Sequence, residues 1–117
     1  MDMMTRAYLA CALWSSCDEN DEPFDAHHTV DDIAGESVRE AERTCQDFRQ
    51  ANKDLLDESG LGDDQIGHDL WLTRNGHGAG FWDRGLGQTG EELTAMCKPY
   101  GEAHLYRDAS GLVNIQG

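Results

Sequence analysis

Between His68 and Gly85 the chain places two His, two Asp, two Arg, two Trp and one Asn within 18 residues, interleaved with glycines. Such a run holds the parts of a polar site. His68 or His77 would act as general acid or base, with Asp69 or Asp83 orienting the imidazole and Arg74 or Arg84 holding an anion. Trp71, Phe81 and Trp82 are faces on which a planar group stacks, and glycine lets backbone approach a ligand or another chain closely. On this reading His68, His77 and Asp83 are the catalytic candidates, and Arg74, Asn75 and Arg84 complete the cluster. A structural account serves the same residues at least as well. Asn75-Gly76 stops a helix, Gly78 and Gly80 permit a reversal that brings Trp71 and Trp82 together, Asp83 pairs with Arg74 or with loop amides, and His68 is a helix-face histidine.

The spacings exclude several chemistries. Gly78-x-Gly80 is no dinucleotide fingerprint, because the third glycine falls at Asp83 and no strand precedes the run. No Gly-Lys-Ser/Thr follows for a P-loop, and no Gly-x-Ser-x-Gly elbow exists. Cys11, Cys17, Cys45 and Cys97 form no CxxC pair, which argues against a zinc ribbon or a thioredoxin-like motif. Cys11, Cys45 and Cys97 read instead as small buried apolar residues. Asp18, Asn20 and Glu22 alternate like the start of a calcium loop, but Pro23 replaces the needed Gly and Thr29 the final Glu. His27-His28 are adjacent and poorly placed to share one ion. Neither a metal nor a cofactor is expected.

The elements that must position these residues follow from periodicity. Met4, Ala7, Tyr8, Cys11 and Trp14 keep three-four spacing, predicting a helix from about Thr5 to Ser15. Val38, Ala41, Cys45, Phe48, Asn52 and Leu55 predict a second, with Ser37 and Glu40 at capping-box spacing, or a start nearer Asp32, and an end at Gly60 and Gly62. A third runs from Asp63 or Asp64 to about Asn75 with Ile66, Leu70 and Thr73 inward, and a fourth from the Thr89–Glu92 box to about Lys98. Residues 103–116 read as a hairpin around Asp108-Ala109-Ser110-Gly111. The expected architecture is one α-rich α+β domain over residues 1–117, with about four helices and a short C-terminal hairpin.

Charge is segregated along the chain. Of a net −14, residues 18–64 hold 16 acids against four bases, leaving the other 70 residues near balance. Asp18 to Asp32 alone has seven carboxylates and no Lys or Arg: Asp18, Glu19, Asp21, Glu22, Asp25, Asp31 and Asp32. Glu40, Asp47 and Asp54 recur every seven residues on the second helix, about 10 Å apart, although Arg39, Arg43, Arg49 and Lys53 share its outer face. These ten carboxylates are the partner-binding candidates. Such a surface repels nucleic acid and anionic membranes and attracts basic protein surfaces, so neither direct nucleic-acid binding nor membrane association is expected. The apolar run Ala7 to Trp14 is too short to span a bilayer, and Asp2 stands where a signal peptide needs basic residues, which predicts a cytoplasmic protein.

The signature His68-Asp69-Leu70-Trp71-Leu72-Thr73-Arg74-Asn75-Gly76-His77-Gly78-Ala79-Gly80-Phe81-Trp82-Asp83-Arg84-Gly85 resembles that of a family of small, uncharacterised acidic proteins encoded by bacteriophages and prophages. The similarity extends to Tyr8-Leu9-x-x-Ala12-Leu13-Trp14-Ser15-Ser16, to Asp31-Asp32-Ile33 and to Asp108-x-x-Gly111-Leu112, and so covers nearly the whole chain. Leu70 stands where members often carry Phe, and Cys17 where they carry a hydroxyl residue, which weakens any metal site built on Cys17. The resemblance implies a small protein in the cytoplasm of an infected bacterium. Joined to the charge, it suggests an accessory protein that binds and inhibits a basic, nucleic-acid-handling host protein such as a nuclease or defence complex, by acidic mimicry of DNA. The competing readings are a plain solvated acidic face, a small enzyme or ligand-binding protein using the His68–Arg84 cluster, and an interaction module docking through Trp82 or Phe81.

Overall fold

The computed structural model describes residues 1–117. Its first helix, α1 (Met3–Ser15), begins at Asp2, whose carboxylate accepts from the Thr5 amide at 2.7 Å and so satisfies one of the unpaired amides of the first turn. Met4, Tyr8, Leu9, Cys11, Ala12 and Leu13 are buried along it. They face α4 (Asp63–Arg74), which follows α2 (Gly35–Ala51) and α3 (Lys53–Ser59) and buries Ile66, Leu70, Trp71 and Leu72. The two helices cross at Gly67, where a methyl group would lie 2.0 Å from the Met4 carbonyl oxygen; only glycine allows so close an approach. Together with α5 (Gln88–Cys97) these helices enclose one apolar cluster of 22 buried residues. The remaining element is an antiparallel hairpin, β1 (His104–Arg107) with β2 (Val113–Gln116), in which Arg107 pairs with Val113 and His104 with Gln116. The chain is thus the α-rich α+β fold expected.

The helix count differs from four, and Asn52 is the reason. At the end of the α2 seam its backbone leaves helical geometry (φ −122°, ψ 28°), and both its amide and its side-chain Nδ2 donate to the Phe48 carbonyl, at 3.1 and 3.0 Å. A buried asparagine that bonds back to the preceding turn competes with the helix ladder. The chain restarts as α3, Leu56 joins Leu55 against the core and is the more deeply buried of the two, and Gly60 in the left-handed conformation (φ 71°) ends it.

Neither expected capping box forms. The α2 helix starts at Gly35, so Ser37 lies in its first turn, buried, with its hydroxyl accepting from the Ile115 amide at 3.0 Å. The pairing falls three residues earlier than the helix itself, where Asp32 accepts from the Thr29 amide at 2.8 Å across a short 3₁₀ turn. The fourth expected helix, α5, is entered from Gly87 with φ 60°, and no side chain caps it. In the hairpin loop Gly111 takes φ 88°, while Asp108 accepts from the Ser110 hydroxyl, from Asn114 and from the Leu112 and Ser110 amides, which hold its carboxyl at about 2. The hairpin is fastened to the helical layer by the buried Val113, whose carbonyl accepts from the Ala34 amide at 2.8 Å.

Candidate functional site

The His68 to Gly87 segment is divided between inside and outside. Asp69 is fully buried on α4 and receives a two-pronged grip from Arg84: Nη2 to Oδ1 at 2.7 Å and Nε to Oδ2 at 3.0 Å, with Gln65 adding a bond at 2.9 Å. That bond to Asp69 raises the already high pKa of Arg84. A buried carboxylate persists as an ion only when paired and hydrogen-bonded in this way. Trp71 is buried edge-on against Tyr8, with ring centroids 5.3 Å apart, and its Nε1 donates to the Ser15 hydroxyl at 2.9 Å. Asn75 donates to the Trp71 carbonyl and accepts from the Ala103 amide at 2.8 Å, tying the end of α4 to the start of the hairpin. Phe81 is fully buried and stacks on Phe48 at 5.6 Å. Its amide donates to the Thr73 hydroxyl, close beneath Gly80, where a methyl group would meet that hydroxyl at 2.3 Å.

Two of the expected contacts are replaced by others. Trp82 does not meet Trp71; it is half exposed, and its neighbour Phe81 enters the core instead. Arg74 does not pair with Asp83. It donates to the Tyr8 hydroxyl and to the Tyr100 and Gly101 carbonyls, while Asp83 is exposed. The three catalytic candidates border no shared cleft. His68 leans over the exposed Trp14 at 5.8 Å, beside Asp64; His77 borders a separate cleft with Cys17 and His104; Asp83 lines neither.

The acidic loop is a built structure rather than a slack tether. Phe24, Val30 and Ile33 anchor it in the core. Asp18 sits at its origin with its side chain only 2% exposed, accepting from the Asn20 and Glu22 amides at 2.8 and 3.1 Å; the Glu22 amide above all keeps its carboxyl low. Arg107 reaches back from β1 over the Phe24 ring to Asp18 (3.5 Å), to Glu19 (2.5 Å) and to Nε2 of His28 (3.1 Å). Because that nitrogen accepts, the His28 proton resides on Nδ1, which faces Asp32 at 3.8 Å. Glu22 pairs with His27. Four of the seven loop carboxylates are therefore engaged, and Asp21, Asp25 and Asp31 are exposed with no protein partner. Asp21 is held outward by a left-handed backbone (φ 64°).

On the helices the remaining candidates fare unequally. Glu40 is paired with Arg43 at 2.6 Å, Asp47 accepts from the Tyr100 hydroxyl at 2.5 Å, and Asp54 is exposed and unpaired. Sequence reasoning missed the Arg107 clamp, although one signal was present: Arg107 is the single Lys or Arg after Lys98. It also missed Gly67 and Tyr100. No three His, Cys, Asp or Glu side chains are grouped to hold a metal ion, and no helix is long and apolar enough to cross a membrane. The chain matches no model of a known protein family, no curated protein and no solved structure.

Proposed function

We propose that this chain is a bacteriophage accessory protein that binds a basic, nucleic-acid-handling host protein of the restriction or CRISPR type and inhibits it, using the acidic loop as its principal contact. The observation that carries this reading is the loop itself: a core-anchored segment without Lys or Arg, clamped internally by Arg107, from which Asp21, Asp25 and Asp31 project unpaired. Carboxylates held on a rigid support meet phosphate-binding Lys and Arg side chains with little ordering cost, and their field speeds encounter with a basic partner. Asp54 on α3 is a further exposed, unpaired carboxylate, and the exposed Trp82 is available as an apolar anchor. The phage setting rests on the resemblance of the His68–Gly85 signature. The alternative, an enzyme or ligand-binding protein built on the His68–Arg84 cluster, has less support: Asp69, Asn75 and Arg84 are tied up internally, and His68, His77 and Asp83 lie apart.

The test is a plating assay. Bacteria carrying a restriction or CRISPR system are made to express the chain and are challenged with phage that the system recognises. Plaque counts should rise toward those of a host lacking the system, and fall back when Asp21, Asp25 and Asp31 are each replaced by Lys. Unchanged counts across hosts of both kinds would contradict the reading.

A further inference from the structure

Between α2 and the hairpin lies an open cleft of about 520 Å³, which shares no residue with the acidic loop. Its size is that of a small-molecule site. Arg74 and Tyr8 line it from the helical side. Arg74 is braced by three bonds: Nε to the Gly101 carbonyl at 2.9 Å, Nη2 to the Tyr100 carbonyl at 2.8 Å and Nη1 to the Tyr8 hydroxyl at 2.8 Å. A guanidinium has five N–H groups, so one on each terminal nitrogen remains unused. Tyr8 is 1% exposed; its hydroxyl accepts from Arg74 and donates to no protein group. Burial pushes that hydroxyl up to about 12, so it keeps its proton at neutral pH. Arg74 and Tyr8, both lining the cleft, thus keep three donors without protein acceptors, on a cation already fixed in place.

We propose that this cleft binds a small carboxylate carried on an aromatic ring, its oxygens taking the two free N–H groups of Arg74 and the Tyr8 hydroxyl. The planar guanidinium suits the two oxygens of a carboxylate, and a braced arginine gives up little side-chain freedom on binding. The charge argues for a monoanion. Arg43, the other cation on the cleft, is paired with Glu40, and Glu36 and the terminal residue Gly117, which lies near Nη2 of Arg74, also border it, so a phosphate dianion would face at least two carboxylates with one unpaired cation. The rings of Tyr100 and Tyr106 line the rest and offer aromatic surface to the body of the ligand.

The experiment is an amide-resolved NMR titration of the full chain at pH 7 with benzoate, benzamide and inorganic phosphate. Benzoate should shift Ala41, Thr44 and Ala103 saturably, whereas the uncharged benzamide should bind about tenfold more weakly, the loss expected of one charge-assisted pairing. Phosphate should bind more weakly than benzoate. Tyr8→Phe keeps the ring against Trp71 and removes only the hydroxyl, and should weaken benzoate by a similar factor. Benzamide binding as tightly as benzoate, phosphate binding more tightly, or benzoate shifts lying outside the cleft would each overturn the proposal. Should Tyr8→Phe fail to fold, the three-probe comparison on the unaltered chain still decides it.

Discussion

The acidic loop and the Gly- and aromatic-rich segment hold similar densities of polar residues, and the fold uses them in opposite directions. From His68 to Gly87 the chain turns most of its polar side chains inward: Asp69 holds Arg84 from the interior, Arg74 ties the end of α4 to Tyr8 and to the Tyr100-Gly101 turn, Asn75 ties it to the start of the hairpin, and Phe81 fills the core. From Asp18 to Asp32 the polar residues fix the shape of the loop with surface bonds and leave three carboxylates facing solvent. A dense polar run is therefore no guide to chemistry until its partners are known. Where the partners are internal it is a brace, and where they are missing the side chains are left free in solvent.

That contrast can be broken most forcefully with pH. Burial pushes the Cys11, Cys45 and Cys97 thiols and the Tyr8 hydroxyl all up to about 12. Their folded pKa values are raised, so the fold is favoured while these groups are neutral in both states. The contribution is complete below about pH 9 and is lost as the pH climbs toward 12, because only the unfolded chain can then ionise. Thermal unfolding should show a steep fall in Tm over that window, where a flat Tm would mean that these groups are not held in the interior. Acid should act on the other region. Asp18 is held low by loop amides, so its contribution is present above its ordinary pKa near 4 and disappears as the pH falls further, loosening the loop before the core.

Substitutions sharpen the comparison. Arg84→Ala leaves a fully buried carboxylate without its cation and should cost about 3–5 kcal/mol in urea unfolding. Asp69→Asn should cost less, since the freed Arg84 is 28% exposed and can turn to solvent. Equal and small losses from both would show that the pair is not a brace. Phe81→Ala should also cost about 3–5 kcal/mol, against no more than about 0.5 for Trp82→Ala. Gly67→Ala sets a methyl group against the Met4 carbonyl and should cost about 1–3 kcal/mol as α1 and α4 are forced apart. Replacing Asp21, Asp25 and Asp31 by Asn should change stability least, within about 0.5 kcal/mol each.

Much of this fold is legible in the residues. The α2 seam, the Asn75-Gly76 stop and the hairpin about Asp108 to Gly111 follow from periodicity and turn chemistry alone. The break at Asn52 does not, because a polar residue on an apolar seam looks the same whether its side chain faces out or bonds back to the preceding turn. The pairing inside the signature was equally hidden. Two Asp and two Arg allow alternative partners, and only packing selects Asp69 with Arg84 while sending Arg74 to Tyr8 and Tyr100. The Arg107 clamp joins residues 88 positions apart, beyond the reach of local pattern. So the expected distribution of charge survives along the chain, but which carboxylates remain free is a property of the tertiary structure.

On the proposed function, the free carboxylates of the loop, and not the polar signature, make the contact with a partner. The most direct measurement of that contact is capture of proteins from bacterial lysate on the immobilised chain over a salt series, comparing the unaltered chain with one in which Asp21, Asp25 and Asp31 are all Lys, and identifying what is retained. Basic nucleic-acid-binding proteins should be retained on the unaltered chain, released by raised salt and by duplex DNA, and absent from the variant, whose folding is verified by thermal unfolding because Lys tolerates the left-handed backbone of position 21 less well than Asp. Retention of the same proteins by both chains, or retention insensitive to salt and DNA, would contradict it.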